Sequence, residues 1–366
     1  MRRLRVLIIG AAFSADLHAD GYSRIRDKAE IVGICDQNER RIAELAERYG
    51  FRDYTAYTDF ETALAQCECD LVDICMPNFL HHAVALQAIG RGRDIICEKP
   101  LATTVEDAAE MVEMADRMGV HIYYAEDWLF APAFRKAQEI LKSGNVGKPL
   151  YIRARESHGG SHSPFAQKLC YCGGGCMVHL GVHPVSFLLA LKENNWVELS
   201  AMTSGGGETN LLHREMEGED WAGVFMRFAD GTYATLEANY VTVGGMEDVM
   251  DIYCEQGCIH VDLSFSGPVK VFSVPGLDYT VEKAEITTGW STPSVDEKYN
   301  LGYCGEIKHF VECALEGREA QTGLRGKDGL ETLKVIHAIY RSAREKTHIQ
   351  NGSGDVGTIA HIGQEE

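Results

Sequence analysis

The sequence lacks the excess of positive charge that is typical of nucleic-acid-binding proteins and the long apolar runs that are typical of membrane proteins. Its 35 basic side chains face 54 acidic ones, a formal net charge of -19 that repels nucleic-acid phosphates and anionic membranes. No apolar run approaches the ~20 residues of a membrane helix, and the basic start at 1–5 leads into a strand pattern rather than a signal peptide. We therefore expect neither nucleic acid nor membrane as a partner, and we expect a cytoplasmic location.

The twelve cysteines lack the spacing of a zinc ribbon or of a disulfide framework. Cys67 and Cys69, like Cys170 and Cys172, are spaced C-x-C rather than C-x-x-C. The other cysteines are scattered through strand and helix patterns of a long chain. We expect most of these thiols to be reduced.

The length of 366 residues predicts two domains. The patterns along the chain indicate an α/β domain followed by an α+β domain. Over residues 1–125, strand and helix patterns alternate about every 25 residues, which is typical of a doubly wound parallel sheet of the Rossmann type. Over residues 126–366, strand-like pieces follow each other through short Gly-rich turns, which indicates a mainly antiparallel sheet. A boundary near residue 125 is therefore predicted.

The first strand pattern, at 4–9, runs into a loop where a dinucleotide fingerprint G-x-G-x-x-G/A is expected. Gly10 supplies the first glycine, Ala12 replaces the second, and Ala15 is an allowed variant at the third. The methyl of Ala12 limits how closely the backbone can approach a diphosphate. The loop alone is a weak signal, because Gly-Ala-Ala suits any tight strand-to-helix turn.

A carboxylate at the end of the second strand strengthens the prediction of a dinucleotide site. Asp36 follows Gly10 by roughly 26 residues, close to the place of the acid that holds the ribose hydroxyls. Such a carboxylate repels a 2′-phosphate and favours NAD over NADP. Arg40 and Arg41 lie near enough in the sequence to favour NADP instead.

A lysine follows the short buried strand pattern 94–97. In an open parallel sheet, ligands lie outside the carboxyl ends of the strands, so Lys99 could point its ammonium group into the crevice as a proton donor or acceptor. An isolated Glu98-Lys99-Pro100 sequence would more often be a solvated ion pair at a strand end. The flanking motifs favour the functional interpretation.

A second candidate stretch combines three glycines with two histidines. Glycines at 173–175 would let a backbone pass close to a ligand, and one continuous helix would place His179 and His183 on the same face. A single helical histidine is more often structural. Two at this spacing beside a triple glycine favour a functional site.

Taken together, the chain resembles the Gfo/Idh/MocA family of oxidoreductases. The parts that carry the resemblance are the Gly10 loop, Pro77-Asn78 with His81, Glu98-Lys99-Pro100, Gly173-Gly174-Gly175 with Gly181-Val182-His183, and Tyr303-x-x-Glu306-Ile307-x-x-Phe310. The resemblance implies a Rossmann domain joined to an open-faced sheet domain, a nicotinamide cofactor, a sugar, cyclitol or related polyol substrate, and a homo-oligomer.

The resemblance also implies roles for individual residues. Lys99 and His183 match the catalytic pair of the family. The cofactor contacts match Gly10, Ala12 and Phe13 of the first loop, Asp36, Pro77, Asn78, His81, Glu98 and Lys99. His179 stands where family dehydrogenases usually have an aspartate, so it would make Lys99 or His183 a readier base, and we expect it to be catalytic or to bind substrate.

Two other functions remain open at this stage. Some enzymes of this resemblance cleave glycosidic bonds in a redox-neutral cycle with tightly held NAD, which needs further acid/base groups. Candidates for these groups are His158, His162, His179, Glu126 and Asp127. A nucleotide-binding regulator without catalysis is the other alternative, and the presence of both Lys99 and His183 argues against it.

The sequence also contains types of side chain that bind transition metals. His158 with His162, His179 with His183, and Cys170, Cys172 and Cys176 between them are such side chains. A cation there would lie close to Lys99 and would occupy His183, the expected base. No metal is therefore predicted.

Overall fold

The computed structural model describes residues 2–161, 163–264, 269–276, 288–293 and 295–352. The strands are β1 Leu4–Ile9, β2 Ala29–Cys35, β3 Thr55–Tyr57, β4 Leu71–Ile74, β5 Asp94–Cys97, β6 Ile122–Tyr124, β7 Pro149–His158, β8 Trp196–Thr203, β9 Trp221–Phe228, β10 Tyr233–Asn239, β11 Met246–Cys254, β12 Gly257–Asp262, β13 Val271–Ser273, β14 Gly289–Ser291 and β15 Ile349–Gln350. The helices are α1 Phe13–Ser23, α2 Glu39–Tyr49, α3 Phe60–Gln66, α4 Asn78–Ile89, α5 Val105–Met118, α6 Pro132–Ser143, α7 Leu169–Cys172, α8 Cys176–His179, α9 Val182–Leu191, α10 Glu297–Leu301, α11 Tyr303–Glu316 and α12 Gly326–Glu345.

The chain forms two compact units. Unit 1 consists of Met1–Phe130 and Gly302–Leu333, and unit 2 consists of Ala131–Leu301 and Lys334–Glu366. Unit 1 therefore takes up a stretch near the C-terminus as well as the N-terminal segment. The predicted domain boundary at residue 125 stays a prediction.

Unit 1 contains a six-stranded parallel sheet in the order β3-β2-β1-β4-β5-β6. The sequence-based prediction of a doubly wound parallel sheet is confirmed. Strand β3 was not predicted, because its three residues are half-exposed or exposed and carry no apolar run. The strand order reverses between β1 and β4, so the crevice at this switch point is the expected ligand site of the sheet.

The central strands of unit 1 are apolar because both faces of the sheet are covered. All four residues of β4 are buried, and so are the last four residues of β1. Helices α2, α3 and α5 begin at side chains that cap them: Asn38, Asp59 and Thr104 each accept a backbone N–H of the first turn. Helices α1 and α4 begin at Ala12 and Pro77 without such a cap.

Unit 2 contains a seven-stranded sheet in the order β12-β11-β7-β10-β9-β8-β15. The strands pair antiparallel except β7 and β10, which are parallel. The prediction of a mainly antiparallel sheet is thus confirmed. Burial alternates along β9 and β10, as expected when one face of a sheet is covered and the other is open. Helices α8 and α9 pack on the covered face.

Among the described residues, no single helix is both long and apolar enough to cross a membrane. The segments Leu169–His179 and Val182–Leu191 pass a test of length and composition only as a pair, and they are bent by 57° at the break between them.

Candidate functional site

The loop after β1 is held tightly against its neighbours. Gly10 has a φ of +103°, and a Cβ atom there would lie 2.1 Å from the carbonyl oxygen of Cys75, so only glycine fits. The carboxylate of Asp36 accepts the backbone N–H of Ala11 at 2.9 Å and that of Asn38 at 2.8 Å. Asp36 therefore supports the loop, and its oxygens retain further lone pairs for ribose hydroxyls.

The start of α1 fits the diphosphate of a dinucleotide. The first backbone N–H groups of a helix have no intrahelical acceptor and attract anions, and no side chain caps α1. Ala12 lies in extended backbone, with φ -97° and ψ -151°, so its methyl group requires no strained conformation. Ala12 and Phe13 are both exposed at this end of the helix. The missing second glycine is thus compatible with a cofactor at this position.

His81 links the loops that follow β4 and β5. Its Nδ1 lies 2.9 Å from the carbonyl oxygen of Pro100, and its Nε2 lies 2.8 Å from that of Met76. The ring is buried, and this burial lowers the pKa of His81. Both ring nitrogens face backbone carbonyls, so the geometry indicates that His81 positions the loop of Pro77 and Asn78. A direct contact with the cofactor stays a prediction.

Glu98 and Lys99 lie at the carboxyl end of β5. Glu98 is buried, and its Oε2 accepts the backbone N–H of Lys99 at 3.1 Å. Its Oε1 lies 3.0 Å from Nε2 of His18. Burial raises the pKa of Glu98, but the hydrogen bond and the charge of His18 outweigh this effect and make the net shift downward. Lys99 is half-buried and, like Gly10, lies beyond the carboxyl end of its strand in the parallel sheet.

The triple glycine of unit 2 has a packing role that differs from the predicted one. A Cβ atom at Gly174 would lie 2.4 Å from the hydroxyl of Tyr340, and one at Gly175 would lie 2.1 Å from the carbonyl oxygen of Glu219. The carboxylate of Glu219 accepts the backbone N–H groups of Gly175 and Met177, at 3.1 and 2.9 Å. The glycines thus admit protein neighbours, and Glu219 holds the start of α8.

The prediction that one helix carries both histidines is wrong. Helix α8 ends at His179, and α9 begins at Val182. Pro184 has no N–H group, and its ring in a continuous helix would clash with the carbonyl of residue 180, so the helix must restart. His179 and His183 therefore do not lie one turn apart on a common face.

His179 belongs to a cluster of aromatic side chains around Tyr240. Its Nδ1 lies 2.9 Å from the hydroxyl of Tyr240. The rings of His158 and His213 lie 5.0 and 6.4 Å from the Tyr240 ring, between centroids. Nε2 of His213 donates to the carbonyl oxygen of Tyr240 at 2.8 Å. Tyr240 and His213 were not predicted, since nothing local in the sequence marks them as neighbours of His179.

His183 is buried on the covered side of unit 2, beside a carboxylate. Its Nε2 lies 3.9 Å from Oε1 of Glu156, which is also buried. A carboxylate at this distance favours proton uptake by an imidazole through Coulomb attraction. Sequence reasoning missed Glu156, although it lies two residues before His158 near the end of β7. An acidic residue at a buried position of a strand pattern was the available signal.

The further acid/base candidates lie in different environments. Glu126 and Asp127 are buried in unit 1, where the backbone N–H of Glu126 donates to the carboxylate of Glu306. In unit 2, Nδ1 of His158 accepts the N–H of Gly160 at 3.1 Å, so its tautomer carries the proton on Nε2. His162 lies outside the described residues.

The cluster of histidines and cysteines between 158 and 183 does not form a recognisable metal site. Within the part of the chain that the structure describes, three of these side chains do not converge as ligands of one ion. The thiols of Cys172 and Cys176 instead contact the carbonyl oxygens of Gly174 and Ala238, at 2.9 and 3.1 Å. The absence of a metal stays a prediction.

A parallel sheet with a glycine loop, a carboxylate at the end of β2 and an uncapped helix at the switch point is typical of a dinucleotide-binding domain. Residues 4–126 match the model of the oxidoreductase family Gfo/Idh/MocA, NAD-binding Rossmann fold, and residues 134–260 match the family's C-terminal domain. The chain belongs to the Gfo/Idh/MocA family. The resemblance, the fold class and the NAD cofactor expected from the sequence are confirmed.

Relatives with known names cover nearly the whole chain. D-glucoside 3-dehydrogenase of Escherichia coli (strain K12) is 32% identical over 355 residues, 95% of this chain and 97% of the relative. D-apiose dehydrogenase of Paraburkholderia graminis is 24% identical over 94% of this chain and 89% of its own length. The crystal structure of GenD2 from gentamicin A biosynthesis, in complex with NAD, superposes with a TM-score of 0.85 at 24% identity, over 96% of this chain and 97% of that one. The predicted enzyme class is confirmed as a dehydrogenase of a family whose named members act on sugars and polyols.

The predicted preference for NAD over NADP rests on Asp36 and can be tested directly. We expect wild-type protein to bind NAD more tightly than NADP. Asp36→Ser should weaken NAD binding by about 10-fold or more, because hydrogen bonds to a charged group contribute roughly 1.5–3 kcal/mol. Arg40 forms an exposed ion pair with Glu44, and such a pair costs little to break, so Arg40 and Arg41 stay the residues that would favour NADP. Fluorescence titration of both cofactors measures the effect, with Asp53→Ser as the control. Tighter binding of NADP by the wild type would contradict the assignment.

Proposed function

We propose that this chain oxidises a secondary ring hydroxyl of a sugar or glycoside with NAD, and that a D-glucoside oxidised at C3 is the substrate to test first. The observation that carries the proposal is the buried pair of His183 and Glu156, because a secondary alcohol must lose a proton as it loses a hydride. Lys99, at the NAD-binding edge of unit 1, supplies the complementary positive charge.

The proposed chemistry divides between two side chains. His183 takes the proton of the substrate hydroxyl, and the carboxylate of Glu156 stabilises the imidazolium that forms. Lys99, which the family resemblance matches to the catalytic pair, stabilises negative charge that develops on the substrate. Bound NAD would supply the hydride acceptor for the carbon of this alcohol. Asp36, the Gly10 loop and the start of α1 would hold the cofactor.

The choice of a glucoside rests on the relative of highest identity among those described. D-glucoside 3-dehydrogenase shares 32% of its residues with this chain over nearly the full length of both. The group around Tyr240 suits a neutral, hydroxyl-rich ligand, since imidazole and phenol groups both donate and accept hydrogen bonds. A sugar or polyol is therefore the proposed partner.

A substrate panel tests this function. Methyl glucosides, free aldoses, inositols and aryl glycosides are each incubated with the protein and NAD, and both NADH absorbance and product identity are followed. We expect stoichiometric NADH and a keto-glycoside with its aglycone still attached. Aglycone release without net NADH would instead support the redox-neutral cleavage of glycosides, and NAD binding without turnover of any compound would support a regulator.

His179 is proposed as a substrate-binding or catalytic residue whose ring Tyr240 orients. We expect His179→Ala to lower turnover by about 100-fold, the usual loss for a positioned acid/base group, with NAD binding nearly unchanged. Tyr240→Phe removes only the hydroxyl at 2.9 Å and should cause a smaller loss in the same direction. Steady-state kinetics and NAD titration are the measurements, and His348→Ala, on the unit 2 surface, is the control. Full turnover by His179→Ala would show that His179 has only a structural role.

A homo-oligomer formed through the open face of the unit 2 sheet is also proposed. This face exposes three large apolar side chains: Met202, Phe225 and Tyr233 are 71%, 69% and 58% exposed. A groove of about 630 Å³ runs along it. Light scattering should give more than one chain per particle, and Phe225→Glu should lower this number. Leu315→Glu, on α11, is the control. A monomeric wild type would refute the proposal.

We further propose a cytoplasmic location. All twelve cysteines have free thiols in the structure, and nine of them, distributed over both units, are buried at an exposure below 8%. Thiols of this kind persist in a reducing compartment. Thiol titration of protein purified under denaturing conditions without reductant should find twelve free thiols, and paired cysteines would argue against this location.

A further inference from the structure

A buried chain of polar side chains in unit 1 ends at the backbone of Lys99. His18 on α1 has no exposed surface, and its Nδ1 lies 3.0 Å from both carboxylate oxygens of Asp73 on β4. Its Nε2 lies 3.0 Å from Oε1 of Glu98. The other oxygen of Glu98 accepts the backbone N–H of Lys99. The contacts therefore run from Asp73 through His18 and Glu98 to Lys99.

The two carboxylates, Asp73 and Glu98, determine how many protons the His18 ring holds. An ionised carboxylate can only accept hydrogen bonds, so a ring with a carboxylate at each nitrogen needs an N–H on both. A neutral imidazole has one N–H and would leave a lone pair facing a buried carboxylate. The geometry is satisfied when His18 is an imidazolium between Asp73 and Glu98.

The surroundings of His18 favour this charge state. The hydroxyl of Tyr22 donates to Asp73 at 2.9 Å, and the thiol of Cys75 lies 3.5 Å from Nδ1 of His18. From α11, the ring of Tyr303 lies 6.5 Å away, between centroids, and Glu306 adds a carboxyl group. Burial alone lowers the pKa of His18, but the charge of Asp73 outweighs it and raises this pKa well above its usual value.

The burial of Glu306 limits the negative charge around His18. Burial, together with the charges of Asp127 and Glu98, raises the pKa of Glu306 well above its usual value. A neutral Glu306 adds no third negative charge to the pair of Asp73 and Glu98. The imidazolium of His18 then offsets one of these two negative charges, and the charge of Lys99 also attracts Glu98.

We propose that His18 is a positioning residue that holds the Lys99 backbone through the side chain of Glu98. The imidazolium fixes one oxygen of Glu98, and this directs the other oxygen to the N–H of Lys99 at the end of β5. Removing His18 would leave two buried carboxylates without their common partner, and Glu98 would protonate or turn away. This inference rests on the proposed role of Lys99 in the dehydrogenase.

The charge state of His18 is tested first, without any sugar. Protein labelled with ¹⁵N-histidine should show one imidazole with both nitrogens protonated from about pH 5 to about pH 8, the interval in which an ordinary histidine titrates. The His18→Gln variant, which assigns the signal, should lack it. A His18 ring with one unprotonated nitrogen in this interval would overturn the proposal.

The positioning role is tested with matched variants. His18→Leu removes both donors, and we expect kcat to fall by about 100-fold, as for a displacement of about 1 Å at a reacting group. NAD affinity should fall as well, while KM for the sugar changes little. His18→Gln keeps one donor and should lose less. The control is His121→Leu, because Nδ1 of His121 lies 3.4 Å from Asp94 at the opposite end of the same strand β5.

The outcomes separate this proposal from the proposed function. Unchanged kcat and NAD affinity in a folded His18→Leu protein, or equal losses in His121→Leu, would overturn the positioning role while the dehydrogenase stands. A wild type inactive on every sugar would overturn the function, whereas weaker NAD binding by His18→Leu alone would still support the hold on Glu98 and Lys99. Circular dichroism and thermal melting establish that each variant is folded.

Discussion

Replacing Lys99 by methionine is expected to lower kcat by about 100- to 1,000-fold, the usual loss when one donor to a developing oxyanion is removed. Methionine keeps an unbranched chain of similar length and removes only the charged donor. Because Glu98 accepts the backbone N–H of Lys99, which methionine retains, the loop should keep its conformation. NAD binding should therefore weaken much less than turnover.

A matched lysine in the same unit provides the control for this result. Lys28 directly precedes β2, at the amino ends of the parallel strands, and pairs with Glu312 on α11. Lys28→Met should change stability slightly and kcat hardly at all, since exposed ion pairs contribute roughly 0–1 kcal/mol. A Lys99→Met variant with the kcat of the wild type would show that Lys99 takes no part in the reaction.

Replacing His183 by asparagine should cause the largest loss, about 100- to 10,000-fold in kcat, because no general base would remain at this position. Glu156→Gln should cause an intermediate loss and should also change the pH profile. The base acts unprotonated, so kcat falls as the pH falls. Without the negative charge of Glu156, His183 takes up a proton less readily, and this acid limb should move to lower pH.

The control for His183 is another imidazole with a carboxylate partner in unit 2. Nδ1 of His260 lies 2.6 Å from Asp251, and this histidine is exposed on β12. His260→Asn should leave kcat and its pH profile unchanged. An acid limb that stays in place in Glu156→Gln would show that Glu156 does not act on the base.

The parallel sheet was predictable because local patterns determine it. Each of its buried strands is an apolar run ending in a turn, and the position of Asp36 relative to Gly10 follows from one strand-helix-strand unit. Strand β3 escaped prediction because an exposed edge strand of three residues has no apolar pattern. Lys99 was predictable from the same kind of local pattern, because it lies two residues after the apolar run of β5.

The candidate site in unit 2 was predicted only in part, since its contacts join distant segments. His179 meets Tyr240 across 61 residues, and Glu219 reaches Gly175 across 44. A single sequence offers no periodic signal for such pairs. Pro184, five residues after His179, is the local signal of the helix break, whereas the spacing of the two histidines alone is that of one continuous helix.

The central claim, hydride transfer from a ring carbon to NAD, is tested most directly with methyl glucoside deuterated at C3. The protein is incubated with this compound and NAD, and the NADH and the sugar product are analysed by mass spectrometry. The proposed function predicts deuterium in the NADH and a 3-keto glycoside without deuterium. NADH without deuterium would contradict oxidation at C3, and cleaved glycoside with no labelled NADH would contradict the proposed function as a whole.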